Sequence, residues 1–414
     1  MIFDRKAPIK FFQSAALNQY TFDELYYNLL GIEINDYKGI PRPAKWAVKY
    51  KKFIPYVKRA SSCILFFWIY IGFYINLFRQ FFVFAFIRGG VSLDGYKNAA
   101  IGIVVCERSF QVLARKEIGL IEVWLCANYD IPIKENQGVK KISVKSILNF
   151  KELVECVVLS IHAHIQITKY KKNYLSFQSY AAMSWMMTWY SLIKLTPSEI
   201  YTSEHHDRWA VLFDSYVGLT RTQKKCGFNL VQHGNEYEQT YAKIETISID
   251  KGLPYRLKNI NKLYLYNKKQ LDIFNENILS KSMWMTSDVN YIGTNLCLVD
   301  LNLEMRSVLI VGHSFCEMMH INLYEEILKF KKVKVFYKPH PTVAASNNAK
   351  SLAWAFIDDN NFYPRVDLVI SYPSTLVDEY EGEGIKVIVH EFNNYSAIDL
   401  NGKINSVLSV WGVN

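Results

Sequence analysis

From residue 99 onward the chain alternates short apolar runs with stretches of helical periodicity. Residues 100–106 (AIGIVVC) and 121–126 (IEVWLC) predict strands, and 154–161 (VECVVLSI) suits either a strand or a helix. Residues 199–202 lead into a helix over 207–226 and then a strand over 227–232; another strand is expected at 262–266, with a helix after it. A second series starts near Arg306, with strands at 307–312, 333–337, 366–370 and 386–390 and helices at 317–330, 346–356 and from Thr375. Apolar runs of this length between helices are what parallel strands look like when helices shield both faces of their sheet. The expected class is α/β: two Rossmann-like domains facing a cleft, 91–295 and 296–414, hinged within 285–305, behind an N-terminal helical segment. In open α/β sheets ligands bind outside the carboxyl ends of the strands. The loops that follow each strand are therefore where chemistry is sought.

Composition narrows the partners. Half of the 414 residues are hydrophobic and 21% are charged, an ordinary globular balance. The net charge of +10 favours anionic partners such as nucleotide phosphates, an acidic glycan or anionic lipid. No nucleic-acid-binding module is recognisable, so nucleic acid is not an expected partner. The seven cysteines are odd in number and scattered, with no C-x-x-C pair, which argues against a disulfide framework or a zinc site and suits a reducing cytoplasm. The first residues, MIFDRKAPIKFF, lack the layout of a cleavable signal peptide.

Residues 1–59 read as mixed and partly helical. Between Tyr37 and Arg59 stand eight Lys or Arg residues (Lys38, Arg42, Lys45, Lys49, Lys51, Lys52, Lys58 and Arg59) and no acid. The run 60–78 that follows carries no charge; Arg79 and Gln80 interrupt it, and FFVFAFI continues to Ile87. A bilayer span needs about 20 apolar residues. A single span with the basic stretch held inside would, however, put residues 89–414 outside, away from cytoplasmic substrates. The preferred reading of 1–90 is a membrane-associating segment lying in the inner leaflet at the cytoplasmic face, with its basic stretch on anionic headgroups. A spanning helix and a buried helical pair are the alternatives.

Five strand ends carry candidate chemistry. In YKPHP, 337–341, Lys338 and His340 are placed to meet a phosphate, although a turn histidine bonding a carbonyl would look the same. In SYPSTLVDE, 371–379, Ser374 and Thr375 stand where a helix begins, an anion site as well as an ordinary N-cap; Glu379 can accept from a ribose hydroxyl or simply favour the helix dipole. Gly312 and Ser314, ending the first strand of the second series, can cradle phosphate or form a plain turn. In VQHGNEYEQTY, 231–241, His233 follows a strand directly and can act as general base or acid, with Glu236 beside it. In TSEHHDRWA, 202–210, Glu204, His205, His206, Asp207 and Arg208 offer acid and base groups and an anion-binding cation; Asp207 equally suits an N-cap and Arg208 a solvated first turn. Neighbours on a strand point to opposite faces, so His205 and His206 are not expected to share a metal. Neither a metal nor a cofactor is expected.

The order of these motifs, His-Gly after a first-domain strand, then Lys-Pro-His-Pro, then Ser-x-x-Ser-Thr with a following acid, resembles two bacterial families. One is the CDP-glycerol glycerophosphotransferases of teichoic-acid synthesis. The other is the His-Pro-motif transferases that use CMP-sialic acid or CMP-Kdo for capsule and O-antigen. Both are GT-B enzymes that need no metal. The resemblance covers roughly 200–390. It implies that His340, Ser374 and Thr375 hold nucleotide phosphate and that His233 is catalytic; the residues themselves add Lys338 to the phosphate set and Glu204 or Asp207 to His233 as base or acid. The acidic pair followed by Gly of the sialyltransferases is absent, and His233-Gly234-Asn235-Glu236 stands near its place. A nucleotide-sugar donor, a lipid-linked or growing glycan acceptor and a metal-independent glycosyl transfer follow as expectations. A CDP-polyol phosphotransferase and a non-enzymatic membrane-bound assembly protein are the rivals.

Overall fold

Short buried apolar runs become strands in the computed structural model, and they build two large parallel sheets and one parallel pair. The structure describes residues 6–29, 33, 38–41, 54–86, 92–127, 140–169, 174–220, 226–247, 252–284, 288–293, 296–314, 316–330, 332–340, 344–359, 362–390 and 397–410. Arg42, Lys45, Lys49, Lys51, Lys52 and Pro341, singled out above, lie outside these. The chain divides into two compact units, Met1–Gly293 and Thr294–Asn414.

Unit 1 carries β1 (Ala100–Val104), β2 (Val123–Cys126), β3 (Lys140–Ser143), β4 (Glu199–Thr202), β5 (Gly227–Val231), β6 (Lys262–Leu265) and β7 (Asp288–Tyr291) in the order β3-β2-β1-β4-β5-β6-β7. The inner strands are buried along almost their whole length, as helix cover on both faces requires. The ambiguous run at 154–161 lies within the helix Phe150–Thr168, whose start is set by Asn149 and Glu152: each bonds the other's backbone N–H in a capping box. The helix Ala182–Leu195 is buried on nearly every side, with Trp185 and Trp189 almost fully enclosed.

The N-terminal segment divides against expectation. The helix Ala7–Leu29 is a core element: Phe12, Ala15, Ala16, Phe22 and Leu25 are buried in the same cluster as the sheet, and Phe12 meets Trp185 edge-on at 5.4 Å. Its buried polar residues are bonded across the chain. Asn18 donates to the carbonyls of His206 and Tyr255 and accepts from the Tyr255 N–H, while Asp23 accepts from Gln178 Nε2 at 2.7 Å. This helix is therefore not membrane-associating. The continuous helical stretch 54–86, made of Ile54–Phe67, a π turn at Trp68–Gly72 and Phe73–Phe86, packs one side on unit 1 and leaves the other exposed.

Unit 2 carries β8 (Leu298–Val299), β9 (Arg306–Val311), β10 (Val333–Lys338), β11 (Ala355–Phe356), β12 (Tyr363–Pro364), β13 (Leu368–Ser371) and β14 (Lys386–Val389). Five of them form the sheet β11-β10-β9-β13-β14, and β8 pairs with β12. The helix expected over 346–356 is only the turn Asn347–Lys350, capped by Ser346; the rest extends into β11 because Ala355 and Phe356 pair with Phe336 and Tyr337.

Candidate functional site

In unit 1 the chain runs outward from β1 through β2 and β3 on one side and through β4 to β7 on the other. The switch point therefore falls between β1 and β4, and connections leaving a switch point in opposite directions open a crevice at the strand ends. Cys106 and Arg108 follow β1, Ser203 and Glu204 follow β4, and His233 follows the adjacent β5.

His233 is held through both ring and backbone. Its Nδ1 makes a short bond to the Ser203 carbonyl. A carbonyl only accepts, so Nδ1 carries the proton and Nε2 the lone pair. Its backbone N–H donates to His205 Nε2 at 3.1 Å, and Arg108 donates to its carbonyl at 2.8 Å. The Val231 carbonyl, 3.2 Å from the same His205 nitrogen, would need a proton there, but the fixed backbone N–H of His233 decides the tautomer. His205 Nδ1 then donates to Glu236 Oε1 at 3.1 Å. Burial, together with the neighbouring His205 and Arg108, holds the His233 pKa well below its ordinary value. The imidazole is thus neutral at neutral pH, with an available lone pair, as a general base needs.

Glu236, expected to be catalytic, instead orients its neighbours. Oε1 faces His205, with His206 Nδ1 3.6 Å away; Oε2 accepts from the Tyr241 hydroxyl at 2.9 Å; and the backbone N–H bonds Gln270. Burial pushes its pKa up, but His206, His205 and Tyr241 outweigh this and leave it below the ordinary carboxylate value. Glu204 behaves oppositely. Burial and the Asp207 carboxylate raise its pKa well above the usual range, so it keeps a proton that it shares with Asp207. Asp207 Oδ1 accepts the N–H groups of Trp209 and Ala210 at 2.8 and 3.1 Å and caps the helix Arg208–Thr220. The capping role offered for Asp207 is realised, and Glu204 is the acid of the pair.

Arg208 does not face a ligand. It is buried, donates to the Tyr180 hydroxyl at 2.8 Å and Gln178 Oε1 at 3.2 Å, and lies 4.6 Å over the Tyr180 ring. His206 stacks on Phe22 with ring centroids 3.7 Å apart. The buried Ser203 hydroxyl has no hydrogen-bond partner, an orphan beside the His233 ring.

In unit 2 the switch point lies between β9 and β13. Three strand ends meet there. His313 after β9 packs edge-on against His340 after β10, at 5.1 Å, and against Tyr372 after β13, at 5.2 Å. Burial, with His340 nearby, pushes the His313 pKa down to about 4. Ser314 Oγ is buried without a hydrogen-bond partner. Ser374 occupies the N-cap of Thr375–Gly382, but its hydroxyl meets Ser371 Oγ at 2.9 Å and makes no cap bond. Thr375 and Glu379 lie half-buried in the first and second turns of the same helix.

Two expected phosphate contacts have other work. Lys338 is buried; its Nζ donates to the carbonyls of Asp359 and Phe362 at 2.8 and 3.0 Å and sits 4.4 Å over the Tyr363 ring. Burial lowers its pKa to about 8. It secures the loop after β11 instead of facing a phosphate. A Cβ on Gly312 would lie 2.2 Å from the Tyr337 hydroxyl, so the glycine makes room for a ring stacked on Trp354.

Two groups bring three metal-ligating atoms within 4.8 Å among the described residues. In Cys316, His320 and His390, all buried, the His320 Nε2 lies 2.9 Å from His390 Nε2 and Cys316 Sγ lies 3.9 Å from His320 Nδ1. His205, His206 and Glu236 form the other group. The two histidines lie in a bend beyond β4, so strand alternation does not separate them as expected. A groove of about 400 Å³ lined by Met319, Leu323, Glu325, Glu326 and Leu400 contains none of the candidate residues. We place the site at the strand ends, where the orphan hydroxyls and the fixed imidazole are.

Strand-end reasoning passed over Arg108, Ser203 and His313. The stretch CERSF follows the first strand directly, and the same rule applied there points to Arg108. No family model matches the chain, and no curated protein is similar to it. Among solved structures, sucrose-phosphate synthase from Thermosynechococcus elongatus is similar over 69% of this chain and 79% of that one, at 12% identity and a TM-score of 0.33.

Proposed function

We propose that the chain is a metal-independent glycosyltransferase of GT-B type. It moves a sugar from a nucleotide donor, CMP-linked by the motif resemblance, to a lipid-linked or growing surface glycan. The carrying observation is His233: a neutral imidazole fixed by Ser203 and His205, with its lone pair on Nε2. Such a base takes the proton from an acceptor hydroxyl as that oxygen attacks the anomeric carbon and the nucleotide leaves. Glu204, holding a proton, is the acid at the end of the neighbouring β4. In unit 2, His340, Ser314 and the start of the helix at Ser374 and Thr375 supply hydrogen-bond donors for the phosphate of the leaving nucleotide.

Thermal shift of the full chain with CMP, CDP, UDP and GDP tests the donor assignment. A nucleotide at 100 times its Kd stabilises the fold by roughly 2.7 kcal/mol. We expect the cytidine nucleotides to raise the midpoint, and Ser314→Ala combined with His340→Ala to abolish the rise. No shift with any of the four would remove the reading. A rise accompanied by transfer of polyol phosphate instead of sugar would replace it with the phosphotransferase.

A further inference from the structure

We infer that the exposed side of the helical stretch 54–86 is a surface for an anionic lipid bilayer, on which the helix lies in the plane of the membrane. Phe67, Ile71, Ile75, Phe78, Phe82 and Phe86 recur every three or four residues and form one stripe, each between 47 and 85% exposed. So continuous an apolar stripe on a solvent-facing helix marks an interaction surface.

The opposite side decides the orientation. Phe73 and Leu77 are 1% exposed; the Phe73 ring stacks on His164 at 3.9 Å. Trp68 Nε1 donates to the Ser176 carbonyl, His164 Nε2 bonds the Ile69 carbonyl in the π turn, and Gln80 donates to the Tyr180 carbonyl. A spanning helix meets lipid on all sides, whereas this one is fastened to unit 1 along the middle of its length. Lipid can take only the other side, and a helix with one apolar and one protein-bound side lies along the interface.

Charge selects the occupant. Lys58, Arg59 and Arg79 are exposed on this helix, and the sequence has no Asp or Glu from Tyr37 to Leu93. A second copy of the chain docked on the stripe would bring these cations together, whereas anionic headgroups neutralise them. The protein-bound side of the helix is tied into unit 1 further still: Tyr180, whose carbonyl accepts from Gln80, takes the Arg208 guanidinium on its hydroxyl. The bilayer contact does not depend on the glycosyl-transfer reading.

The test is flotation of the full chain with vesicles of phosphatidylglycerol and phosphatidylethanolamine, and with phosphatidylcholine alone, at low and high salt. Binding is expected to the anionic vesicles and to weaken in high salt. Phe67→Asp combined with Phe82→Asp changes only exposed side chains; it should keep the thermal midpoint and lower binding about tenfold or more. Depth-dependent quenching of a label on Cys63 and of one on Phe82→Cys, with Cys106 and Cys297 replaced by Ser, should place both at headgroup level. Absence of flotation with either vesicle, or salt-independent self-association through the stripe, overturns the surface. Labels in opposite leaflets overturn the in-plane orientation. Nucleotide thermal shift on the same preparation reports separately on the enzymatic reading.

Discussion

The two switch points contain different chemistry. In unit 1 the strand ends mix carboxylates with imidazoles, Glu204, Asp207 and Glu236 against His205, His206 and His233, and the environment raises the pKa of Glu204 while lowering those of His233 and Glu236. Nearly every polar atom there is committed to a neighbour, which leaves a protonated acid and an unprotonated base. In unit 2 the meeting residues are His313, His340, Tyr372, Ser314 and Ser374, hydrogen-bond donors without a carboxylate among them. An acid–base pair suits proton transfer; a set of donors suits an anion. Two sheets of the same parallel construction thus carry different chemistry at their strand ends.

The comparison breaks first at His233. His233→Ala should lower kcat by about 10²- to 10⁴-fold, the usual worth of a positioned general base, while nucleotide affinity stays within a few-fold. Steady-state kinetics alongside calorimetric nucleotide binding separates the two. A loss confined to affinity would mean that unit 1, not unit 2, holds the donor.

Gly312 offers a structural break. Its Cβ would overlap a Tyr337 ring that cannot retreat from Trp354, so Gly312→Ala should cost about 3 kcal/mol, the upper range for over-packing. Denaturant unfolding measures this. Unchanged stability with weakened nucleotide binding would return the glycine to the ligand-contact role its place after β9 suggests.

Acid provides the smallest break. The folded-state pKa of His313, about 4, lies below the ordinary 6.5. The unfolded chain therefore binds the proton first: this contribution to stability is fully present above 6.5 and is lost as the pH falls toward 4. At pH 5 the loss amounts to roughly 2 kcal/mol. Glu204 has the opposite sign: its raised pKa contributes stability below the ordinary carboxylate value, lost as the pH rises through the folded one. His313→Asn should flatten the midpoint-against-pH curve between 6.5 and 4. An unaltered curve would show that His313 meets water in the folded state.

Strands were legible because a covered parallel strand is a local, uninterrupted apolar run; 227–232 and 333–337 were placed to within a residue. A helix start was legible where the capping residue is local, as at Asp207. What sequence did not disclose depends on distant partners. Lys338 looks like a phosphate ligand until the carbonyls of Asp359 and Phe362 claim it. Arg208 looks solvated until Gln178 and Tyr180 surround it. The segment 346–356 looks helical until β10 offers Ala355 and Phe356 an edge to pair with. The helix Ala7–Leu29 was hardest to place, because buried Asn18 and Asp23 break its apolar pattern and their partners lie beyond residue 175.

Asn18 also sets a clock. Its amide needs the carbonyls of His206 and Tyr255, 188 and 237 residues further along. At a synthesis rate of roughly 5–20 residues per second, the helix leaves the ribosome on the order of 10 to 50 seconds before its last bonding partner is made. Until Trp185 follows, the apolar side that will meet it has nothing to cover it. A chain cut short before Tyr255 would carry His205, His206 and His233 yet lack a partner that fastens the helix beside them, so premature products should be conspicuous to chaperones and proteases.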